Sequence, residues 1–120
     1  MALKKILVVE DQADLAALIQ RQLEHIGLTS VVATTGLTAL RKVREEKPDL
    51  ILLDLILPDI SGLDVGARLK AEVSTGSIPI LAVTGMSPGW EKCLENGFDG
   101  HLVKPFSLHE LKREIEKLLR

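Results

Sequence analysis

The sequence predicts a doubly wound α/β domain: five parallel strands alternating with five helices that cover both faces of the sheet. Three observations carry this. Short runs rich in Val, Ile and Leu recur along the chain, the pattern of strands buried on both faces. Segments with helical apolar spacing separate them. Capping residues and glycines stand where those segments should start and stop. Strand–helix–strand alternation gives a parallel sheet because each crossover is right-handed. In such a sheet all the strand C-termini face one crevice.

The elements follow in order. "KILVVE", ending at Glu10, predicts strand 1. Leu15, Leu18, Ile19, Leu23 and Ile26 form one stripe of helix 1, and Gly27 fits a left-handed cap after it. "TSVVAT" (29–34) is strand 2; Leu40 and Val43 mark helix 2 after Thr35. Pro48 precedes strand 3, "LILLD" (50–54). "SGLD" (61–64) fits the S-x-x-[DE] capping pattern and opens helix 3, with Leu63, Val65, Ala67 and Leu69 as a less regular stripe. "PILAVT" (79–84) is strand 4. Helix 4 is short, Pro88 to Asn96, with Gly97 as its cap. "HLVK" (101–104) is strand 5. "SLHE" (107–110) caps helix 5, whose stripe is Leu108, Leu111, Ile115, Leu118 and Leu119.

Composition bounds the function. A chain of 120 residues fits one domain, 1–120, with one sizeable core. A formal net charge of -2 leaves no basic footprint for nucleic acid and no polybasic patch for membranes. The aromatic residues are Trp90, Phe98 and Phe106, too few for a base-stacking platform, so the core is aliphatic. Cys93 is the only cysteine, which excludes an internal disulfide and a Cys-rich metal site. The simplest compartment is a reducing cytoplasm. No signal-peptide h-region and no apolar run of membrane-spanning length is present.

Chemistry gathers at the strand ends. Glu10 and Asp11 end strand 1, Asp54 strand 3, Thr84 strand 4 and Lys104 strand 5. A parallel sheet places three acids, a hydroxyl and an amine in one crevice. Three close carboxylates repel, and one pKa rises unless a cation joins them. Oxygen-only ligands suit Mg²⁺, with Mn²⁺ as the alternative. A lysine and a threonine opposite the metal suit a phosphoryl oxygen. Asp54 is then the candidate nucleophile. Each residue alone has a plainer explanation: an acid pair at a helix start, a strand threonine, a solvated lysine. Their conjunction on strands 1, 3, 4 and 5 is the specific signal.

"VVED", "DLILLDLILPDISGLDV", "PILAVTG" and "LVKPF" together resemble the receiver domain of two-component response regulators, over essentially the whole chain. The resemblance implies a flavodoxin-like sheet of strand order 2-1-3-4-5. It implies Asp54 as phosphoacceptor, Asp11 as a direct Mg²⁺ ligand and Glu10 as an acid acting on the metal through water. Ile56 matches the position whose backbone carbonyl completes the metal site. Thr84 matches the hydroxyl that turns to the phosphoryl group, and Lys104 the lysine that pairs with it. A cis peptide is implied at Lys104–Pro105, and Gly85 fits a position that leaves room for the phosphoryl group. The implied function is Mg²⁺-dependent acceptance of phosphate from a phosphohistidine on a sensor histidine kinase or a histidine phosphotransfer protein. That phosphorylation switches the surface of helix 4, strand 5 and helix 5, including Phe106. The domain is no enzyme beyond its own phosphotransfer and dephosphorylation. Its implied partners are the kinase, a separate downstream effector and a second copy of the chain in a homodimer, with no direct nucleic acid and no membrane. A receiver cut from a longer protein is the alternative.

Three departures from the family pattern stand out. His101 replaces the usual Tyr or Phe and brings a titratable ring, so a weaker or pH-dependent switch is expected; a half-exposed strand histidine is the plainer alternative. Between Thr84 and Gly97 the chain is shorter than usual. Trp90 there is expected to anchor the short helix, with a partner contact as the competing explanation. Ile56 and Met86 are apolar and cannot orient an attacking water, so slow loss of phosphate is expected. Cys93 reads as a packing residue. Two other classes stay open: a non-phosphorylated pseudo-receiver used for docking or dimerisation, and a nucleotide- or flavin-binding enzyme. "EDQADL" after strand 1 lacks the glycine-rich phosphate loop of the latter.

Overall fold

A computed structural model describes residues 4–85 and 89–119. Strands β1 (Lys5–Val9), β2 (Thr29–Ala33), β3 (Leu50–Asp54), β4 (Ile80–Thr84) and β5 (Gly100–Val103) form one sheet. Helices α1 (Ala13–His25), α2 (Gly36–Glu46), α3 (Gly62–Ala71), α4 (Trp90–Glu95) and α5 (Leu108–Leu118) connect and complete it. All pairings are parallel and the order is β2-β1-β3-β4-β5, as predicted.

The continuous apolar runs reflect burial on both faces. Successive strand side chains point to opposite faces. Leu7, Val9, Ile51, Leu53, Ile80 and Ala82 pack with Ala39 and Val43 of α2, Val65 and Leu69 of α3, and Cys93 of α4. Ile6, Val8, Leu50, Leu52, Leu81 and Val83 pack with Ile19 and Leu23 of α1 and Leu111 and Ile115 of α5. Each fully buried aliphatic side chain contributes roughly 1.5–3 kcal/mol, so the centre of the sheet is its most strongly held part.

The ends are set by local chemistry. The Thr35 hydroxyl accepts from the Thr38 amide, and Ser61 from Asp64. Ser107 and Glu110 complete a reciprocal capping box at α5. Gly27 (φ 87°) and Gly97 (φ 83°) adopt the predicted left-handed conformation. The Lys104–Pro105 peptide is cis.

Several boundaries differ from expectation. β1 stops at Val9 and β2 at Ala33, although the Glu10 amide still donates to the Ala33 carbonyl at 3.0 Å. β4 starts at Ile80 because Pro79 has no amide hydrogen to give; its carbonyl accepts from Ile51. β5 lies one residue earlier than predicted, and Lys104 follows it, its amide on the Thr84 carbonyl at 2.7 Å. In α1, Leu18 is 48% exposed and Ala16 takes the buried position. In α3, Gly66 rather than Ala67 is buried, where a Cβ would collide with the Phe98 ring. The α4 helix covers Trp90–Glu95; Pro88, its expected first turn, lies outside the described residues.

Candidate functional site

The parallel sheet delivers the strand-end groups to one crevice. Carboxylate oxygens of Glu10, Asp11 and Asp54 all lie within 4.8 Å of one another. Asp11 is exposed, whereas Glu10, Asp54 and Thr84 are buried beside the last turns of apolar strand. Lys104 reaches in from the end of β5. Its Nζ donates to Glu10 Oε1 at 2.9 Å and to Asp54 Oδ2 at 3.0 Å. The second oxygens are also occupied: Asp54 Oδ1 accepts from the Ile56 amide at 3.0 Å, and Glu10 Oε2 from Gln12 at 3.1 Å.

Electrostatics follow from that arrangement. Burial pushes the Glu10 carboxyl above its ordinary value, against the Lys104 and Gln12 hydrogen bonds that lower it; the Asp54 charge adds to the rise. Burial alone would pull the Lys104 ammonium down, but its bonds to Glu10 and Asp54 outweigh this and raise its pKa. Three carboxylates against one ammonium leave the crevice two negative charges from neutrality. A divalent cation supplies that charge, and an all-oxygen donor set fits Mg²⁺.

The loop after β3 holds the third wall. The Leu55 amide donates to the Val83 carbonyl at 3.3 Å, and the Leu55 carbonyl accepts from Gly62 at 2.9 Å. Ile56 stands at the mouth and is 75% exposed. Gly62, expected only as part of the cap of α3, is also required by the geometry of this loop. A Cβ there would collide with the Asp54 carbonyl and lie 2.7 Å from Leu55 Cα. Its signal was a glycine placed directly after the capping serine.

The remaining candidates lie on the flank. His101 pairs with Ala82 across β4–β5 and stacks on Trp90, ring centroids 4.8 Å apart and planes 14° apart. Trp90 is half-buried and packs against the core. Cys93 is fully buried, and burial raises its thiol pKa, as a packing residue requires. Phe106 is half-buried and borders an apolar groove with Leu15, Leu18, Ile19, Pro105 and Lys104. Gly85 is exposed, with open space where a Cβ would go. Met86 lies outside the described residues.

A family model described as the response regulator receiver domain matches residues 6–116. The chain is 39% identical over 119 residues to the alkaline phosphatase synthesis transcriptional regulatory protein PhoP of Bacillus subtilis, covering 98% of this chain and 49% of that protein. It is 38% identical to the DNA-binding response regulator MtrA of Mycobacterium leprae, covering 98% of this chain and 52% of that protein. The chain thus spans about half the length of these curated relatives. Among solved structures, Vibrio cholerae chemotaxis protein CheY4 superposes with a TM-score of 0.92 at 25% identity, covering 98% of this chain and 100% of that one. The receiver domain of sensor histidine kinase PA1611 from Pseudomonas aeruginosa, with magnesium coordinated in its active site cleft, superposes with a TM-score of 0.90 at 29% identity, covering 98% of each chain. The chain belongs to the response regulator receiver domain family, a signalling domain of two-component systems. Its acidic pocket of Glu10, Asp11 and Asp54 fits the metal and phosphoacceptor site of such a domain, and nothing in it favours a docking-only pseudo-receiver. Among the described residues, no helix is long and apolar enough to cross a membrane.

Proposed function

We propose that residues 1–120 act as one receiver domain in which Asp54 accepts a phosphoryl group from a phosphohistidine of a sensor histidine kinase or histidine phosphotransfer protein. One observation carries this: a buried Asp54 in ion-pair contact with Lys104 and clustered with two further acids. An Asp54 carboxylate oxygen attacks phosphorus, the P–N bond breaks, and its electron pair returns to the imidazole nitrogen. Bound through Asp11, Asp54, the Ile56 carbonyl and, through water, Glu10, Mg²⁺ or Mn²⁺ would neutralise charge on the transferring group. Lys104 leaves Asp54 for a phosphoryl oxygen, and the Thr84 hydroxyl turns to another. Gly85 leaves space for the group.

The added charge biases a pre-existing equilibrium. The surface of α4, β5 and α5, with Trp90, His101 and Phe106, then changes its affinity for a cytoplasmic effector or a second copy of the domain. The apolar side chain of Ile56 at the mouth offers an attacking water no hydrogen bond, which favours a long-lived acyl phosphate. Incubation with acetyl phosphate and Mg²⁺, followed by intact mass, tests the central step. One phosphate added to wild type and none to Asp54→Ala is expected. No addition to wild type, or equal addition to the variant, overturns it.

A further inference from the structure

We infer that Asp59 is a positioning residue for the metal site: it clamps the loop after β3 onto the first turn of α2 and thereby holds Ile56 beside Asp54. The inference rests on the receiver function proposed above and assigns a role to a residue outside the acidic cluster.

Both Asp59 oxygens are engaged, Oδ1 by the Gly36 amide at 2.8 Å and Oδ2 by the Leu37 amide at 2.9 Å. With Thr35 accepting from Thr38, the first three amides of α2 are all satisfied. The first turn of α2 holds no acid of its own, so the anion that complements its dipole comes from the loop. Packing makes the same junction. A Cβ on Gly36 would lie 2.9 Å from Val65 Cγ2 and would also press on Ile60, so the missing side chain lets α2 approach the loop. Leu55, Leu57 and Ile60 pack against the core while Ile56 faces out.

Only Leu57 and Pro58 separate Ile56 from Asp59, and proline fixes its own φ. The loop is therefore held at Leu55, at the Asp54–Ile56 hydrogen bond and at Asp59. Releasing Asp59 frees the side of Ile56 away from Asp54, so its carbonyl samples positions that no longer meet a cation at the acids. Direct partners of metal ligands typically change affinity by 10–100-fold, and Asp59 acts one step further out, so a loss of about three- to tenfold is expected.

The test compares Asp59→Ala with Ser107→Ala, which removes the hydroxyl N-cap of α5, a different segment from the loop after β3. Calorimetric titration with Mg²⁺ and hydrogen exchange of the Ile56 amide in metal-free protein are read for both. Expected are a three- to tenfold higher Kd and faster Ile56 exchange in Asp59→Ala, with both unchanged in Ser107→Ala. A Kd within about twofold of wild type, or an equal rise in Ser107→Ala, overturns the inference. Failure of wild type to bind Mg²⁺ would instead remove the receiver function on which it rests.

Discussion

Replacing Lys104 by Met tests the charge balance of the crevice directly. The substitution keeps an unbranched chain and removes the one ammonium that touches both Glu10 and Asp54. Breaking a buried ion pair by deleting one partner costs about 3–5 kcal/mol. The Lys104 side chain is 24% exposed, so water partly replaces it, and about 2–3 kcal/mol is the better expectation. For a domain of this size that lowers Tm by about 6–12 °C in metal-free buffer. The sign of the pH dependence is fixed by Glu10. Its folded pKa lies above the ordinary value of 4.5, so the proton it holds stabilises the native state below that value. This stabilisation is lost as pH rises through the folded pKa. Lys104 normally limits that rise; without it the loss is larger. The deficit of the variant is therefore greatest above neutrality and shrinks on acidification. The bonds to Glu10 and Asp54 raise the Lys104 pKa, so wild type keeps the ammonium charged throughout the comparison. Mg²⁺ should also bind the variant more tightly, because it no longer competes with the ammonium. Thermal scans at about pH 5 and about pH 8, with and without Mg²⁺, measure all of this. A metal-free variant as stable as wild type at the higher pH, or a deficit that grows on acidification, would show that Lys104 does not carry the charge balance of the crevice.

Three further outcomes are expected. Gly62→Ala puts a methyl group against the backbone of Asp54 and Leu55, costing about 1–3 kcal/mol and slowing phosphorylation measured by intact mass; a normal rate would show that the backbone yields without moving Asp54. Lys70→Met removes bonds to the Gly76 and Ile78 carbonyls and the Asp99 carboxylate, lowering stability by about 2 kcal/mol in urea melts while leaving Mg²⁺ affinity unchanged. Phosphorylation-induced amide shifts on β5 should differ between about pH 6 and about pH 8 and lose that difference in His101→Phe; identical shifts in wild type would rule the dependence out.

The sheet was legible because burial on both faces writes itself as uninterrupted aliphatic runs, and parallel order follows from chirality once helices intervene. "LILLD" illustrates this: every residue of β3 is buried. The acids and Lys104 were legible for the same reason, since a parallel sheet needs only strand ends to bring them together. What escaped were contacts between segments distant in sequence. Neither the Asp59 bridge to α2 nor the three-way anchorage by Lys70 leaves a periodic trace. The Trp90–His101 stack was likewise hidden, because ring geometry is set by how α4 lies on β5. Leu18 misled in the other direction: helical spacing placed it in the core stripe, but the buried sector of α1 is narrower and centres on Ala16, Ile19 and Leu23.

Stability and site chemistry pull against each other at the end of β3. Asp54 is carried by a strand buried along its whole length, which fixes its position but also strips its water. The same holds for Glu10 at the end of β1. A single lysine satisfies one oxygen of each, and backbone amides of Ile56 and Gln12 satisfy the others, so neither carboxylate is abandoned. Hydrogen bonding is therefore complete while charge is not. That residual negative charge is what a divalent cation would complement. Asp11, the exposed member of the cluster, costs little desolvation. A cation that binds only the folded crevice stabilises the whole domain, by about 2.7 kcal/mol at a hundred times its Kd. Occupancy can thus be followed by melting temperature alone, independently of any phosphoryl transfer.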